Sequence, residues 1–436
     1  MMDAKKERSI SRMREEVAQF EPVLDLLRDD PDEMSQLQYF ILESLVRNDK
    51  AIIECVEQDK PFLANQFTNP VEICTAMDVP FYFHVQQQFA AGGTGGSTHT
   101  LEDLEEMDKL GIPPDCCTLI RLLAYYQAAG LLPIPTAYLA LTEPCDSVAG
   151  LQSLFMNHPD WRGVPAFVPD PPYHSDDRAI DYFAGEMKRM VDFITEHTGK
   201  TLDMNRLKEV VDETNRDYSL WFEYNDIRRA IPTPHSYIMP MSCFYLVNTM
   251  GAGDPVNAGF YKTMVANAEK RVRENTPEVP NQKIRVFWYD IQPMFFSEIV
   301  PWLEQEWGAV IAMDMVSYSP HELIDTSTED NMFRGLAKRA FQHPPMIHQA
   351  RGLADNVIHD ITRIVQDYKM DCVIFPGHMG HKDMAASTAL MRETCRELGV
   401  PFLYIGMDIC DKRYMSVDEI KDKISQFFNA MGLGQN

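Results

Sequence analysis

The 436-residue chain contains few cysteines and few basic residues, and it has no long hydrophobic run. Nine cysteines are too sparse for a disulfide scaffold. A net charge of -25 argues against binding to nucleic acid or to an anionic membrane, because a basic face is needed to displace counterions. No window approaches the roughly 20 apolar residues of a spanning helix. The charged N-terminus lacks the apolar region of a secretory signal, so we expect a cytoplasmic protein.

Periodicity along the sequence predicts four regions. Residues 1–60 carry helical periodicity and predict a helical leader. Residues 61–175 and 284–436 alternate short apolar runs with helical patterns, which is typical of parallel sheets. Residues 176–283 contain long amphipathic helices and predict a helical insertion or brace. We therefore predict an α/β fold with two Rossmann-like (flavodoxin-like) parallel-sheet lobes.

The most informative unit lies between residues 371 and 413. A strand, a glycine–histidine loop at 376–382, a helix over 384–398 and a second strand follow one another. In open parallel sheets ligands bind beyond the carboxyl ends of the strands. The loop residues His378, His381 and Lys382 are therefore predicted to lie at a functional site.

Two cysteines are predicted at the ends of elements. Cys117 stands at a probable helix start, where the helix dipole favours a thiolate, and Asp115 is the predicted N-cap. Cys145 follows the predicted strand 137–142. By contrast, Cys55, Cys74 and Cys372 lie within apolar runs and are predicted to be buried. Two separated cysteines alone are weak support for a metal site.

Two further patterns are less specific. The glycine-rich loop 90–97 follows a predicted strand over 79–85, but it lacks the lysine and hydroxyl residues of a phosphate-binding P-loop. A flexible connection is the favoured interpretation. The three-residue spacing of His378 and His381 also suggests zinc, although no carboxylate pair lies nearby in the sequence.

Short motifs in a fixed order resemble the 2-hydroxyacyl-CoA dehydratase and benzoyl-CoA reductase superfamily. The resemblance covers roughly residues 60 to 436, so the leader is not included. Family members carry a third cluster cysteine in the last glycine loop, and this chain has a histidine there. The matching segments are Cys117-Thr-Leu-Ile-Arg121, Pro144-Cys-Asp146, His381-Lys382, Gly399-Val-Pro-Phe-Leu403 and Asp408-Ile-Cys-Asp-Lys-Arg413.

The resemblance implies a radical enzyme. In this family two related subunits pair, each usually holds a [4Fe–4S] cluster through three cysteines, and an ATP-hydrolysing iron–sulfur activator delivers one electron. The implied reaction is dehydration of an (R)-2-hydroxyacyl-CoA to a 2-enoyl-CoA. The alternatives are a subunit of an aromatic acyl-CoA reductase and a scaffold subunit without a cluster.

The resemblance also implies roles for individual residues. Cys117 and Cys145 would be two cluster ligands. The third ligand is open between His381, the neighbouring Cys116 and no ligand at all, in which case the cluster is altered or absent. His381 could instead be a general acid for the departing hydroxyl. Lys382 and Arg413 would suit the phosphates of coenzyme A.

Overall fold

The computed structural model describes residues 3–66, 69–83, 100–140, 142–143, 145–236, 251–255, 257–291, 296, 298–319, 321–342 and 345–433. The glycine-rich loop 90–97 and Pro144 of the second motif lie outside these residues.

The helices alternate with short strands throughout the described residues. The strands are β1 (Leu63–Asn65), β2 (Phe81–Phe83), β3 (Ala137–Leu139), β4 (Ala166–Phe167), β5 (Ile284–Trp288), β6 (Ala309–Asp314), β7 (Cys372–His378) and β8 (Phe402–Met407). The helices are α1 (Ala4–Ser9), α2 (Ser11–Leu27), α3 (Glu33–Gln58), α4 (Val71–Ala76), α5 (Leu101–Asp108), α6 (Thr118–Ala128), α7 (Asp146–Asn157), α8 (Asp177–Thr198), α9 (Met204–Ile227), α10 (Asn257–Glu274), α11 (Ile299–Trp307), α12 (Glu329–Gln342), α13 (Pro345–Asp367), α14 (Lys382–Ala386), α15 (Thr388–Leu398) and α16 (Val417–Ala430).

The strands form two sheets of four parallel strands each. The first sheet has the order β2-β1-β3-β4, and the second has the order β6-β5-β7-β8. Numbered within its own sheet, each order reads 2-1-3-4, which is the flavodoxin-like order. The predicted α/β fold with two parallel-sheet lobes is confirmed. The strand order reverses between β1 and β3 in the first sheet and between β5 and β7 in the second. In open parallel sheets, ligands bind at such a reversal, beyond the carboxyl ends of the strands.

Three strands of the second sheet are fully buried because both of their faces are covered. Every residue of β5, β6 and β7 is buried. Parallel sheets covered by helices on both faces show this continuous apolar pattern rather than strict alternation. The outer strand β8 has exposed positions, among them Tyr404, which is 40% exposed.

The histidine loop is shorter than its sequence indicates. Pro376, Gly377 and His378 pair with Ile405, Gly406 and Met407 of β8, so β7 continues to His378 and the loop contains only residues 379–381. The Tyr404 ring lies directly over Gly377, where a side chain would overlap it. The Pro-Gly pair is therefore required by packing in the strand, although it reads as a turn.

The predicted helix over 384–398 is two helices. The helix α14 begins at Lys382 and ends at Ala386, and α15 begins at Thr388. Gly399 ends α15 in the left-handed conformation, with φ of 71°, which a residue without Cβ adopts without strain.

The leader packs against the rest of the chain. The helices α2 and α3 contact each other, and Ile10, Met13, Leu37 and Ile52 belong to the same buried apolar cluster as strand β5. The expected helical character of residues 1–60 is confirmed for residues 4–58. The division into four regions stays a prediction.

None of the helices in the described part of the chain combines the length and apolar character that crossing a membrane requires.

A pair of buried carboxyl groups joins the two leader helices. Glu16 of α2 and Asp49 of α3 are 8% and 1% exposed. Burial raises the pKa of both groups, although Asp49 as a hydrogen-bond partner and the charge of Arg12 act in the opposite direction on Glu16. Two carboxyl groups in contact away from water hold a proton between them more readily than they hold two charges.

We predict that the free energy of unfolding falls less with rising pH in Glu16→Gln than in the wild type. Because the folded state raises the pKa of these carboxyl groups, it binds protons more tightly than the unfolded chain, and stability falls as the pH rises through the raised values. The measurement is urea denaturation between about pH 5 and about pH 8, with a difference on the order of 1–3 kcal/mol. Asp25→Asn, at an exposed position of α2, serves as control and should keep the wild-type slope. Identical slopes in all three proteins would contradict the shared proton.

Candidate functional site

Cys117 marks the first-lobe side of the site. It is the N-cap residue of α6, which confirms its predicted place at a helix start. The prediction of Asp115 as N-cap was wrong, because the helix begins after Cys117 without a side-chain cap. The Cys117 backbone N–H donates to the Ser147 hydroxyl at 3.1 Å. The Cys117 residue is 4% exposed, so its thiol is enclosed by protein.

The histidine loop of the second lobe packs directly onto Cys117. A Cβ atom on Gly380 would overlap the backbone N and Cα and the Cβ of Cys117. His378 and His381 flank this glycine and are both buried, at 3% and 7% exposure. Their rings meet edge to face with centroids 4.6 Å apart. The close approach of backbone to backbone therefore brings both imidazoles to the cysteine.

His378 contacts the sulfur of Cys117. Its Nε2 lies 3.3 Å from Cys117 Sγ. The other ring nitrogen, Nδ1, accepts a hydrogen bond from the Ile409 backbone N–H at 3.0 Å, and Asp408 Oδ2 lies 3.7 Å from it. Because Nδ1 accepts, a neutral ring carries its proton on Nε2 and donates it to the sulfur.

His381 is held by Asp290. The Nδ1 atom of His381 lies 3.0 Å and 3.3 Å from the two carboxylate oxygens of Asp290, which is 1% exposed. Asp290 lies two residues beyond the end of β5 with a φ of 130°, a rare conformation for a residue with a side chain. Its Oδ1 also accepts the Ile291 backbone N–H at 2.7 Å. Asp290 fixes the His381 ring so that Nε2 is left for Cys117.

The charges of this group depend on one another. Burial raises the pKa of the Cys117 thiol, but the charges and hydrogen bonds of His378 and His381 outweigh it and lower the pKa to about 6. Burial lowers the pKa of His381, but Asp290 and Cys117 raise it well above its ordinary value. The buried thiolate and the buried imidazolium are thus stabilised only as a set.

Cys145 lies beside this group without joining it. It is the N-cap residue of α7 and is partly exposed. Its neighbour Asp146 accepts from Lys382 Nζ at 3.0 Å, and Asp115 accepts from the same atom at 3.0 Å. Lys382 therefore links the loops that carry Cys117, Cys145 and His381.

Lys382 and Arg413 link the two lobes through carboxylates. Lys382 is tied to two aspartates of the first lobe. Arg413 contacts Asp411 at 2.7 Å and Asp108 of the first lobe at 3.0 Å. A phosphate at either side chain would have to displace an existing ion pair, so the predicted contact with coenzyme A stays a prediction. A buried hydrogen bond also joins the lobes. The Thr118 hydroxyl donates to Asp408 Oδ2 at 2.7 Å, which fixes the chain just beyond β8.

Sequence reasoning brought Cys117 and His381 to one place, but it missed Asp290 and the contact of His378 with the sulfur. In the described part of the chain, the side chains whose donor atoms could share one ion are Cys117, His378 and His381, with all ligand atoms within 4.8 Å of one another. Cys145 is not in this group. An acidic residue directly after β5, at the strand-order reversal of its sheet, was the signal available for Asp290.

The histidine loop supplies no third cysteine to a cluster, because residues 379–381 contain none. Among the described residues, the donor atoms close enough to share a single ion are one sulfur, from Cys117, and two imidazole nitrogens. Cys410 is close enough to interact electrostatically with Cys117, and burial, followed by the charge of Asp408, raises the pKa of its thiol well above the ordinary value.

The paired flavodoxin-like sheets, with polar side chains meeting at their carboxyl ends, define a two-lobed α/β subunit with a candidate site between its lobes. The chain belongs to the family described as 2-hydroxyglutaryl-CoA dehydratase, D-component, whose model matches residues 66–431. It is thus a 2-hydroxyacyl-CoA dehydratase-type subunit. No curated protein matches the chain.

We predict that Gly380→Ala loosens the site. The added methyl group overlaps the Cys117 backbone, so the loop must move, which should cost about 1–3 kcal/mol. Thermal unfolding should shift downward, and a small thiol reagent should label Cys117 faster, as peptide mass mapping would show.

The control for this variant is Gly150→Ala inside α7. No atom lies within 4 Å of the position of its added Cβ, and alanine is the better helix former. This control should be neutral or slightly stabilising. Equal thermal stability and equal labelling of Cys117 in Gly380→Ala and wild type would refute the close packing of the loop.

Proposed function

We propose that this chain is a subunit of an (R)-2-hydroxyacyl-CoA dehydratase that forms a 2-enoyl-CoA. The enzyme would be activated by a single electron from an ATP-hydrolysing iron–sulfur protein. The family match over residues 66–431 supports the substrate class and the reaction. Side-chain acids and bases do not expel a hydroxyl group next to a thioester carbonyl readily, which is why an electron carrier is required.

The observation that carries this proposal is the convergence of motif segments from both lobes at one place. The segments around Cys117, Asp146, Lys382 and Arg413 are far apart in the sequence, and they meet through ion pairs and the Cys117 to His378 contact. Each segment lies at or near the carboxyl end of a strand or the start of a helix. Such an edge between two sheets is where α/β enzymes bind their ligands.

We infer that a related partner subunit holds the electron-accepting cluster of the enzyme. A cubane needs several cysteines, and the histidine loop, where the resemblance places the third one, has His381 instead. Of the alternatives that the sequence leaves open, an altered or absent cluster in this subunit is the one that the geometry favours. This subunit would then contribute its half of the acyl-CoA cleft and the surface that pairs with its partner.

The geometry gives less support to His381 as a general acid. Its Nδ1 faces Asp290, and its remaining nitrogen hydrogen-bonds to Cys117, so its proton is directed to the sulfur. A proton donor to a departing hydroxyl has to be within hydrogen-bond reach of that oxygen. We therefore place His381 among the residues that order the site.

Anaerobic reconstitution tests the proposal. The chain, its related partner subunit and the activator should together convert (R)-2-hydroxyglutaryl-CoA to a product lacking one water, detected by mass spectrometry. Omission of ATP or of the activator should abolish turnover, because the electron cannot then be delivered. Dehydration without the activator would overturn the radical mechanism. Reduction of benzoyl-CoA by the same mixture, with no dehydration, would assign the chain to the reductases instead.

A further inference from the structure

The two histidines and the cysteine present their donor atoms at the separations of a mononuclear metal site. The ligand atoms of Cys117, His378 and His381 all lie within 4.8 Å of one another, and one sulfur to nitrogen distance is 3.3 Å. A tetrahedral ion with metal–sulfur and metal–nitrogen bonds of about 2.3 Å and 2.1 Å places sulfur and nitrogen roughly 3.6 Å apart. The three side chains therefore need little movement to close on one ion.

Carboxylates stand behind both histidines. Asp290 contacts Nδ1 of His381 at 3.0 Å, and Asp408 lies 3.7 Å from Nδ1 of His378. Both aspartates are at most 1% exposed. Histidines that bind a metal through Nε2 commonly give their Nδ1 proton to a carboxylate, which fixes the ring and strengthens the ligand. The structure has this arrangement for His381, whereas Asp408 is near His378 Nδ1 but makes no hydrogen bond to it.

The two histidines are not equivalent. His381 can bind an ion at Nε2 while its Nδ1 keeps a proton and donates it to Asp290 in a hydrogen bond. At His378, Nδ1 accepts the Ile409 N–H, so an ion at Nε2 requires the ring proton to move to Nδ1 and the ring to turn from Ile409 toward Asp408. His378 is therefore expected to be the weaker of the two nitrogen ligands.

The charge of the group suits a divalent cation. One thiolate and two neutral imidazoles leave an ion of charge +2 with a net charge of +1, which the buried Asp290 offsets. Sulfur and imidazole nitrogen together are the donors that zinc and similar transition metals prefer over magnesium or calcium. Three protein ligands leave the fourth position of a tetrahedral ion for a water molecule.

We propose that Cys117, His378 and His381 bind one divalent transition-metal ion of the zinc class at the junction of the lobes. The site takes the place that the family gives to a cluster ligand, because a histidine stands where the third cysteine is expected. This inference does not depend on the dehydratase assignment, and it is tested on the isolated chain without substrate.

Cobalt titration of the full chain provides the test. After chelator treatment and dialysis, one equivalent of Co²⁺ should produce the strong visible bands of a tetrahedral ion and a near-ultraviolet thiolate-to-cobalt band. Zn²⁺ should displace both. Elemental analysis of the anaerobically purified chain should find one equivalent of metal and no acid-labile sulfide.

The variants are expected to weaken metal binding to different degrees. Cys117→Ser should lose the thiolate band, and His381→Gln should weaken Co²⁺ binding more than His378→Gln does. Asp290→Asn should weaken binding about 10- to 100-fold, since it removes the acceptor of the His381 proton. Cys145→Ser is the matched control, because its sulfur lies outside the group, and its spectrum should match that of the wild type. Circular dichroism checks the fold of each protein.

Should Cys117→Ser fail to fold, His381→Cys gives an independent answer, because a second thiolate should intensify the charge-transfer band. Iron and acid-labile sulfide in equal amounts, both lost in Cys145→Ser, would replace the single ion by a cluster and overturn the proposal. Absence of any cobalt spectrum in the folded wild type, or a thiolate band that survives in Cys117→Ser, would also overturn it.

Discussion

The junction of the two lobes depends on a continuous chain of polar contacts that runs from Asp290 through His381 to Cys117 and His378. All four side chains are buried, and none of the charged forms would be stable there alone. The carboxylate keeps an imidazolium charged, and the imidazolium and the second imidazole keep the sulfur a thiolate. Because Cys117 belongs to the first lobe and the other three to the second, this chain of contacts also fixes how the lobes meet.

The repeated architecture explains why the contacts form at this place. Both sheets have the same strand order, and the reversal in the second sheet lies between β5 and β7. Asp290 follows β5 and His378 ends β7, so they stand on the two sides of that reversal. The first sheet contributes the starts of α6 and α7, whose N-terminal backbone groups and dipoles favour negative charge. A thiolate at the facing edge therefore receives support from both lobes.

The residue types that meet at the site decide which chemistry it can supply. Several thiolates around an open space would suit an iron–sulfur cluster, whereas one thiolate and two imidazoles in close contact suit a single ion. The family relationship is shown by the match over most of the chain, and it leaves open which subunit of a pair carries the electron acceptor.

The sequence by itself determined the parts of this protein that depend on local pattern. Apolar runs located β5 to β8, the helix periodicity located α8 and α9, and the predicted start of α6 placed Cys117 correctly. These features follow from backbone periodicity and capping, which act over a few residues. The split of the last predicted helix and the extension of β7 to His378 escaped prediction, because Pro376 and Gly377 resemble a turn unless the Tyr404 ring and the pairing with β8 are known.

Only the tertiary structure decided which side chains meet. His378 lies 261 positions from Cys117 and His381 lies 91 positions from Asp290, so no local pattern connects them. Their contact results from the packing of one lobe on the other, with Gly380 allowing the closest approach. The same packing left Cys145 outside the buried group, although the sequence motifs predicted the same ligand role for Cys145 as for Cys117. The sequence thus supplied the reactive residue types, and the distances between elements selected which of them could act together.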